Sequence, residues 1–368
     1  MEHDYVGQGS LDRWLAQLSK SGVKRPFIIA SHSSLKRHYH KLGWLGDALI
    51  PDATFSSFSP NPTYEDIVHA RAKSRAFSPD FLIALGGGSA IDVAKGVRFP
   101  EASFAPTPGV TDIPFAALPT TAGSGSEATH FAAYYRGDEK HSLAHPSLLP
   151  DIAIIDPALS LSMPPQLTAV TGFDALAQAI ESFWAAGATD ASRNYATQAL
   201  RLLLPNIENA VTHAEVESRS AMAIGANLAG KAINLSKTTA PHALSYYLTR
   251  KYGIAHGHAV ALMMPYFFII NSRQSGSTYV HGRETILSQS IMEIMKVFKC
   301  QSPLECAAKW MGLMANCGLA NTLEAMGISG IEEIRTIIAN ANAERLSNNP
   351  VRFFPEDLEE LMDKGIFR

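Results

Sequence analysis

The feature that most constrains the fold is a strand that runs through three glycines into a helix. Residues 81–85 (FLIAL) are continuously apolar, and the sequence GGGSAIDVAK follows at residues 86–95. Glycine lets a backbone approach a ligand closely, and the free N–H groups at a helix start favour a phosphate. The pattern predicts a phosphate site of the dinucleotide type, with these cofactor contacts: Gly86, Gly87, Gly88, Ser89 and Asp92. The alternative is a tight turn in which Ser89 is simply the N-cap of the helix.

A second group of cofactor contacts is predicted after the next apolar strand, at residues 115–118. That strand ends in the sequence PTTAGSGSE, which is rich in glycine and small hydroxyl residues. Such residues at the carboxyl end of a strand are well placed to contact the ribose and nicotinamide parts of a dinucleotide. The sequence therefore adds four predicted contacts: Thr120, Thr121, Ser124 and Ser126.

Short apolar runs alternate with helical patterns in the first half of the chain. Strands are predicted at residues 27–30, 53–58, 81–85, 115–118 and 153–156, helices at residues 11–20 and 64–75, and a hairpin at residues 129–135 and 140–143. Continuously apolar strands separated by helices are typical of a parallel sheet covered on both faces. We therefore expect a Rossmann-like α/β domain at residues 1–160.

The remainder of the chain is predicted to be helical. Helical periodicity runs through residues 166–183, 191–213, 217–232, 242–249 and 256–270. We expect these helices to form an all-α domain at residues 161–368. Prolines between residues 157 and 165 indicate a hinge, and a cleft between two domains is the default position for an active site.

The predicted helical domain contains oxygen and nitrogen donors at spacings that suit a shared metal ion. Asp174 and Gln178 are one turn apart on a predicted helix, so their side chains should project from the same face. His242 and His256 follow later in the chain, with His258 close behind. A mixed set of oxygen and imidazole ligands suits a borderline divalent ion such as iron, zinc or nickel.

Composition and charge exclude several classes of function. The 368 residues carry a net charge of −3 and show no basic stripe, so nucleic-acid binding has no support. The longest apolar stretch contains Pro265 and is too short to span a membrane. The start of the chain lacks the basic and apolar regions of a signal peptide. Three cysteines late in the chain fit reduced thiols, so we expect a cytoplasmic protein.

Four motifs occur in the order in which they stand in one enzyme family. They are GGGSxxDxxK at residues 86–95, PTTAGSGSE at residues 119–127, TGxDAL at residues 171–176, and the pair His242 and His256-Gly257. In this combination the chain resembles the iron-containing (group III) alcohol dehydrogenases over nearly its whole length. The resemblance implies the fold shared with dehydroquinate synthase, in which a Rossmann-like domain precedes a helical domain. It also implies a nicotinamide cofactor bound between the two domains and a divalent metal held by one aspartate and three histidines.

The resemblance assigns roles to particular residues. It implies that Asp174, His242 and His256 are metal ligands and that Lys140 lies near the cofactor. The residues that correspond to cofactor contacts of the family are Gly87, Gly88, Ser89, Thr120 and Thr121.

The chain departs from the family at two positions. Gln178 stands where the family usually has a second metal-binding histidine. Because a neutral amide oxygen is a weaker ligand, metal affinity should fall or the preference should shift toward harder cations. Tyr246 stands where the family often has a histidine proposed to relay protons. Tyr246 could donate a proton, but an aromatic residue on a helix is more often part of the core.

The sequence around the candidate ligands resembles one branch of the family, the phosphonoacetaldehyde reductases. This resemblance rests on residues 140–146, 174–182 and 230–246, and it implies reduction of phosphonoacetaldehyde to 2-hydroxyethylphosphonate. Lys237, followed by Thr238 and Thr239, offers a cation and hydroxyl donors to a phosphonate. Equally, Lys237 could be a solvated charge and the threonines could cap the next helix.

These assignments predict hydride transfer from a reduced nicotinamide to a small aldehyde whose carbonyl is polarised by the metal. Fe(II) is the favoured ion, with Zn(II) or another divalent ion as the alternative. The predicted metal ligands are Asp174, Gln178, His242 and His256, and the residues predicted to be catalytic are His256, His258, Tyr246 and Lys237. His258 is expected to orient the site or to donate a proton rather than to bind the metal.

Cofactor choice is predicted from the residues that follow the strand at 27–30. NAD enzymes of this topology usually have a carboxylate there to hold the ribose diol, and this chain has Ser31 instead, with Lys36 and Arg37 beyond. No carboxylate is present to repel a 2′-phosphate. NADP(H) is therefore favoured over NAD(H), with Ser31 as a cofactor contact.

Several alternatives remain open at the level of the sequence. A general alcohol dehydrogenase is one, and a metal-independent reductase of the same fold would follow if Gln178 prevents metal binding. A dehydroquinate synthase-like lyase would use bound NAD transiently, but it needs more charged groups than residues 237–258 offer. The remaining class is a noncatalytic nucleotide-binding protein. The family resemblance further implies a homodimer.

Overall fold

The structure, a computed structural model, describes residues 4–47, 50–99, 113–137, 139–273, 284–352 and 354–364. The chain divides into two compact units, Met1–Met163 and Pro164–Arg368. The first unit is α/β, and the second contains helices and no strand within its described residues. This arrangement confirms the predicted fold class. The assignment of nucleotide binding to the first unit and of metal binding to the second stays a prediction.

The strands of the first unit form a parallel sheet and a separate hairpin. They are β1 Asp4–Val6, β2 Pro26–Ala30, β3 Thr54–Phe55, β4 Phe81–Gly86, β5 Phe115–Pro119, β6 Phe131–Arg136, β7 Glu139–Ala144 and β8 Ile152–Ile155. Six strands form the sheet in the order β1-β8-β5-β4-β2-β3, while β6 and β7 pair antiparallel. Ala30 pairs with Leu85, and Gly86 pairs with Pro119. The carboxyl ends of β2, β4 and β5 therefore meet at one edge of the sheet.

Successive side chains of the central strands enter two different apolar cores. Ile83 belongs to a core that includes Trp14, whereas its neighbour Leu82 belongs to a second core that includes Ile91. The same alternation runs through β2 and β5. Burying one such aliphatic side chain contributes about 1.5–3 kcal/mol. The continuously apolar strands of the sequence thus reflect a sheet that is covered on both faces.

The helices of the first unit lie between its strands along the chain. They are α1 Ser10–Leu18, α2 His32–His38, α3 Trp44–Asp47, α4 Tyr64–Phe77 and α5 Gly88–Arg98. A capping box formed by Thr63 and Asp66 starts α4. By contrast, the N-cap residue of α5 is Gly87, which has no side chain to cap the helix, and Ser89 lies inside the first turn. The alternative that Ser89 is the N-cap is therefore wrong, and the first N–H groups of α5 are not capped by a side chain.

The second unit is organised around one central helix. Its helices are α6 Pro165–Trp184, α7 Asp190–Leu203, α8 Ile207–Thr212, α9 Val216–Ser236, α10 Ala240–Tyr252, α11 His256–Ile270, α12 Glu284–Phe298, α13 Pro303–Asn316, α14 Ile331–Ala339, α15 Ala343–Ser347 and α16 Pro355–Lys364. Helix α6 packs against α7, α9 and α11, and all but a few of its residues are buried. A polar side chain on α6 therefore needs a polar partner inside the unit.

Pro265 lies inside α11 without ending the helix. A proline removes the N–H donor that would bond to the carbonyl four residues earlier, which is that of Ala261. The indole Nε1 of Trp310 donates to this carbonyl at 2.9 Å. Because the carbonyl keeps a donor, α11 continues to Ile270 as the sequence predicts. No described helix is long and apolar enough to cross a membrane.

Two details of the sequence prediction are wrong, and one strand was missed. Residues 191–213 form two helices rather than one, because Pro205 follows α7 and has no N–H group to continue its hydrogen bonding. The strand predicted at residues 53–58 shrinks to Thr54–Phe55. Strand β1 was not predicted, since three residues give no periodicity and its partner β8 is distant in sequence. Because β1 comes first, the strand that precedes Ser31 is β2, the second strand of the first unit.

Candidate functional site

Helix α6 presents three polar side chains on one face of a mostly apolar, buried helix. Asp174, Gln178 and Glu181 follow one another at intervals of four and three residues, which places them on the same face. Their exposed fractions are 7%, 3% and 0%. Burial of polar groups costs free energy unless other polar groups satisfy them. The partners of this face come from the two helices that follow α9.

His242 reaches this face from the first turn of α10. Thr239 is the N-cap residue of α10, and Pro241 suits a helix start because it needs no N–H partner. His242 Nε2 lies 3.3 Å from Asp174 Oδ1. The other ring nitrogen, Nδ1, is hydrogen-bonded to Glu181 Oε2. One imidazole is thus held between two carboxylates of α6.

His256 reaches the same place because Gly257 lets α11 approach α6 closely. A Cβ atom at Gly257 would lie 2.1 Å from the carbonyl oxygen of Val170 and 2.9 Å from Asp174 Cβ. Such distances leave no room for any side chain at this position. His256 is the first residue of α11, so the close approach at Gly257 directly sets the position of its imidazole.

Asp174, His242 and His256 form a cluster with the character of a metal site. Each offers one ligand atom, and these atoms lie within 4.8 Å of one another. One carboxylate and two imidazoles make a donor set that suits a borderline divalent ion. Gln178, the fourth predicted ligand, lies one turn away from Asp174 on α6. The structure therefore brings together three predicted ligands and places the fourth on the same helix face, and these residues fit a divalent metal.

The charges around His242 determine its protonation in the metal-free protein. Burial alone would lower the pKa of His242, but the charge of Glu181 and the hydrogen bonds and charge contributed with Asp174 raise it to about 10. The imidazole therefore carries a proton on both nitrogens at neutral pH. Metal binding at Nε2 requires loss of that proton, so uptake of the metal should release protons to solvent.

Tyr246 and His258, both predicted to be catalytic, make contacts that support the surrounding structure. The Tyr246 ring stacks on the His256 imidazole at a centroid distance of 5.6 Å. His258 Nε2 donates to the carbonyl oxygen of Ala320 at 2.6 Å. Because a carbonyl oxygen only accepts, that nitrogen carries its proton within this bond. The catalytic roles of the two residues stay predictions.

Lys237, Thr238 and Thr239 were expected to offer their polar groups to a phosphonate. The Lys237 ammonium instead lies 2.7 Å from Glu344 Oε1 in a half-exposed ion pair. The buried Thr239 hydroxyl donates to Glu181 Oε1 at 2.8 Å and accepts from Trp184 Nε1 at 3.1 Å. The prediction of a phosphonate-binding hydroxyl is therefore wrong for Thr239, because this group satisfies the polar face of α6. Thr239 occupies the N-cap position of α10, but its side chain makes no capping hydrogen bond to the helix.

The predicted phosphate loop lies against the segment that follows β5. The Thr120 N–H group donates to the Gly86 carbonyl at 2.9 Å. A Cβ atom at Gly87 would lie 3.0 Å from Thr121 Oγ1, and one at Gly88 would lie 3.0 Å from Ser124 Oγ. The structure therefore brings six predicted cofactor contacts together: Gly86, Gly87, Gly88, Thr120, Thr121 and Ser124.

Ser31 joins this edge of the sheet from the end of β2. Its hydroxyl accepts the Ser34 N–H at 3.1 Å and so caps α2. Ser34 Oγ would lie 3.6 Å from a Cβ atom at Gly86, which places the α2 start beside the glycine loop. Residues 31–37 (SHSSLKR), which follow β2, contain no carboxylate.

Asp92 and Ser126, also predicted to contact the cofactor, are bonded to each other and to the hairpin. Ser126 Oγ donates to Asp92 Oδ1 at 2.6 Å, and the Ala133 N–H donates to Oδ2 at 3.1 Å. The fully buried Lys95 donates to Ser126 Oγ and to Thr129 Oγ1, both at 3.0 Å. Burial lowers the pKa of Lys95 to about 8 and raises that of Asp92. Both carboxylate oxygens of Asp92 thus accept internal bonds, while its role as a cofactor contact stays a prediction.

Two further predicted contacts lie near this cluster. Ser89 Oγ donates to the carbonyl oxygen of Pro60. Lys140 lies on β7 opposite Tyr135, and its charge acts on the Asp92 carboxyl. Lys140 therefore lies close to the glycine-loop helix, while its role as a cofactor contact stays a prediction.

Sequence reasoning missed two residues that build the metal-site candidate. Glu181 continues the spacing of Asp174 and Gln178 along the same helix face, so an acidic residue in an apolar helix was the available signal. Gly257 follows a predicted ligand, but the sequence does not reveal which backbone lies against it. Glu181 could have been found from periodicity, whereas the role of Gly257 depends on the packing of α6 against α11.

The chain is similar to several known proteins. The family model described as iron-containing alcohol dehydrogenase matches residues 3–157, and the C-terminal model of the Fe-containing alcohol dehydrogenase family matches residues 168–366. A 1-propanol dehydrogenase of Salmonella typhimurium is 34% identical over 71% of this chain and 69% of that protein. A long-chain-alcohol dehydrogenase of Geobacillus thermodenitrificans is 28% identical over 98% of this chain and 94% of that protein.

A similar solved structure is the sulfoacetaldehyde reductase of Bifidobacterium kashiwanohense in complex with NAD+. It is 28% identical to this chain, with a TM-score of 0.83, and the match covers 98% of this chain and 95% of that one. Together, the family models span nearly the whole sequence. The chain therefore belongs to the iron-containing alcohol dehydrogenase family and is an oxidoreductase of the alcohol dehydrogenase type.

Proposed function

We propose that this enzyme reduces a small aldehyde with an anionic head group, phosphonoacetaldehyde, to the corresponding alcohol. It uses NADPH and a divalent metal, Fe(II) being the favoured ion. The observation that carries the proposal is the cluster of Asp174, His242 and His256 within 4.8 Å. In a member of this oxidoreductase family, such a donor set is the natural place for the ion that activates a carbonyl group.

Different residues of the chain would have different roles in this reaction. Asp174, His242 and His256 would hold the metal, with Gln178 as a neutral fourth donor. When bound, the ion supplies a Lewis acid for the carbonyl oxygen and the reduced nicotinamide supplies the hydride. The Tyr246 ring limits rotation of the His256 imidazole by stacking on it, and its hydroxyl is the proposed proton donor to the product alcohol.

The choice of an anionic aldehyde has two supports. Residues 140–146, 174–182 and 230–246 resemble the phosphonoacetaldehyde reductases. The similar solved enzyme of Bifidobacterium kashiwanohense is a sulfoacetaldehyde reductase, whose substrate also joins a short aldehyde to a tetrahedral anionic group. Lys237 is the proposed cation for this group, and its ion pair with Glu344 is half exposed and can exchange partners.

The cofactor preference rests on the start of α2. Ser31 and its neighbours place hydroxyl groups beside the glycine loop, with Lys36 and Arg37 further along α2. This environment accepts a 2′-phosphate more readily than a carboxylate would. NADH is the alternative, since the similar sulfoacetaldehyde reductase binds NAD+.

A second candidate function, a metal-independent reductase of the same fold, is favoured by one residue. Gln178 gives the proposed metal site a neutral amide where a histidine would bind more strongly. In that case Asp174 and the protonated His242 would serve as an ion pair, and the carbonyl would be polarised by hydrogen bonding alone.

One experiment tests the proposal and separates these candidates. Enzyme purified without chelator is assayed with phosphonoacetaldehyde, sulfoacetaldehyde and propanal, using NADPH and NADH, before and after chelation and after addition of Fe(II) or Zn(II). We expect the highest kcat/KM with phosphonoacetaldehyde and NADPH, loss of activity on chelation, and recovery with added metal. Full activity in a metal-free preparation would favour the metal-independent reductase, and equal kcat/KM for propanal would remove the anionic substrate.

A further inference from the structure

Glu181 is a fully buried carboxylate whose oxygens bond to three groups of α10. Oε1 accepts both the N–H and the hydroxyl of Thr239, each at 2.8 Å. Oε2 is hydrogen-bonded to Nδ1 of His242. The exposed fraction of Glu181 is 0%, so its carboxylate depends on these protein donors rather than on solvent. One carboxylate of α6 therefore holds the N-cap and the first turn of α10.

The bond to Nδ1 decides which nitrogen of His242 faces the proposed metal ligands. A carboxylate that accepts from Nδ1 keeps that nitrogen protonated and leaves Nε2 for other partners. Nε2 is the atom that lies 3.3 Å from Asp174 Oδ1, on the side of the ligand cluster. Glu181 thus keeps the proton on Nδ1 and fixes the plane of the ring, so Nε2 is the nitrogen that can give up its proton to a metal.

Because Glu181 lies on α6, one helix holds both sides of the His242 ring. Glu181 and Asp174 are two turns apart on the same helix, so they hold opposite nitrogens of one imidazole from a single rigid element. Trp184, one turn after Glu181, donates to the Thr239 hydroxyl at 3.1 Å and completes the network. Rotation of His242 would break its hydrogen bond to Glu181 and its contact with Asp174 on the other side of the ring.

We propose that Glu181 is the positioning residue of the metal centre, and that it sets metal affinity by holding His242 with Nδ1 protonated and Nε2 directed toward Asp174. The proposal rests on the metal centre of the proposed function. It requires no contact between Glu181 and the metal or the substrate. A buried negative charge behind a histidine ligand raises the basicity of the ligand nitrogen, and loss of such a partner typically weakens metal binding about 10–100-fold.

The test compares two variants that each disturb one side of the Glu181 carboxylate. Glu181→Gln removes the charge and one acceptor, so the His242 contact is weakened. Thr239→Val removes the hydroxyl bond to Oε1 but leaves Oε2 in contact with His242. Zinc dissociation constants are measured on full-length protein by competition with a chromophoric chelator, together with the thermal unfolding temperature of each metal-free variant.

We expect Glu181→Gln to weaken zinc binding about 10–100-fold. We expect Thr239→Val to lower the unfolding temperature and to leave zinc affinity unchanged. Equal zinc affinity in Glu181→Gln and the wild type would overturn the positioning role while the metal centre stands. An equal loss in both variants would assign the effect to general loosening of α10 and would also overturn it. Failure of the wild type to bind zinc would remove the metal centre itself.

A measurement on the wild type keeps the proposal testable if Glu181→Gln does not fold. In zinc-loaded protein labelled with 15N-histidine, the His242 signals should show a proton on Nδ1 and zinc on Nε2. Zinc bound at Nδ1 would contradict the proposal, because Glu181 could not then accept from that nitrogen.

Discussion

The glycine loop after β4 and the cluster of Asp174, His242 and His256 position polar groups by different physical means. The loop uses backbone: small residues at adjacent strand ends leave space, and the N–H groups of α5 are available at its start. The cluster uses side chains from three helices, and each is held by a partner or by a close helix contact.

The difference predicts how each region responds to change. A site made of backbone groups depends on the free space that neighbouring residues leave beside it, so an added methyl group should affect only that site. A site made of distant side chains depends on helix packing, so a change that moves one helix should affect every ligand together. Two substitutions below test this contrast, and a third probes the Lys237 ion pair, which lies outside both regions; the largest expected effect comes first.

Gly257→Ala should have the largest effect, since its Cβ would lie 2.1 Å from the Val170 carbonyl oxygen and α6 and α11 must separate. We expect destabilisation by about 3 kcal/mol or more and at least about tenfold weaker zinc binding, measured by denaturant unfolding and chelator competition. Gly312→Ala in α13 is the matched control, because nothing lies within 4 Å of its Cβ position and alanine favours a helix. Similar behaviour of the two variants would refute the close-packing argument.

Gly88→Ala should have an intermediate effect confined to nucleotide binding. Its Cβ would lie 3.0 Å from Ser124 Oγ, so the side chain must yield and the space over the loop is reduced. We expect the Kd for NADPH, measured by nucleotide fluorescence, to rise about tenfold, equivalent to about 1.4 kcal/mol. Zinc affinity should not change. A loss of zinc binding in this variant would show that the two regions do not respond independently.

Glu344→Gln should have the smallest effect. It removes the ion-pair partner of Lys237, and both side chains are about half exposed, so stability should hardly change. If Lys237 binds the phosphonate, its ammonium becomes more available. We then expect kcat/KM for phosphonoacetaldehyde to rise about two- to fivefold, with no change for propanal, in steady-state assays. Lys237→Met should act in the opposite direction, and equal effects on both aldehydes would exclude a head-group contact.

The local features of the fold could be predicted because their causes are local. Strands β4 and β5 are continuously apolar and lead into glycine or small hydroxyl residues, so the sequence predicts both that they are strands and where they lie. Helix α11 was predicted with its observed bounds, although Pro265 would ordinarily interrupt it. What keeps it intact is the Trp310 donor, which comes from another helix and has no local signal.

The candidate site was predicted only in part for the same reason. Asp174 and the two histidines were found from motif spacing, but the sequence could not show that Thr239 bonds to Glu181 or that Lys237 bonds to Glu344. Those partners are far apart along the chain. Asp92 and Ser126 were grouped with the cofactor loop because they stand in its motifs, whereas the fold uses their polar groups to join α5 to the hairpin.

The sequence by itself determined the order of elements, the glycine loop and the chemical types of the candidate ligands, since periodicity and residue type act over a few positions. Only the tertiary structure decided which polar groups meet: Glu181 behind His242, the Val170 carbonyl against Gly257, and Glu344 beside Lys237. The physical reason is that burial requires each polar group to find a partner, and the packing of whole helices selects that partner.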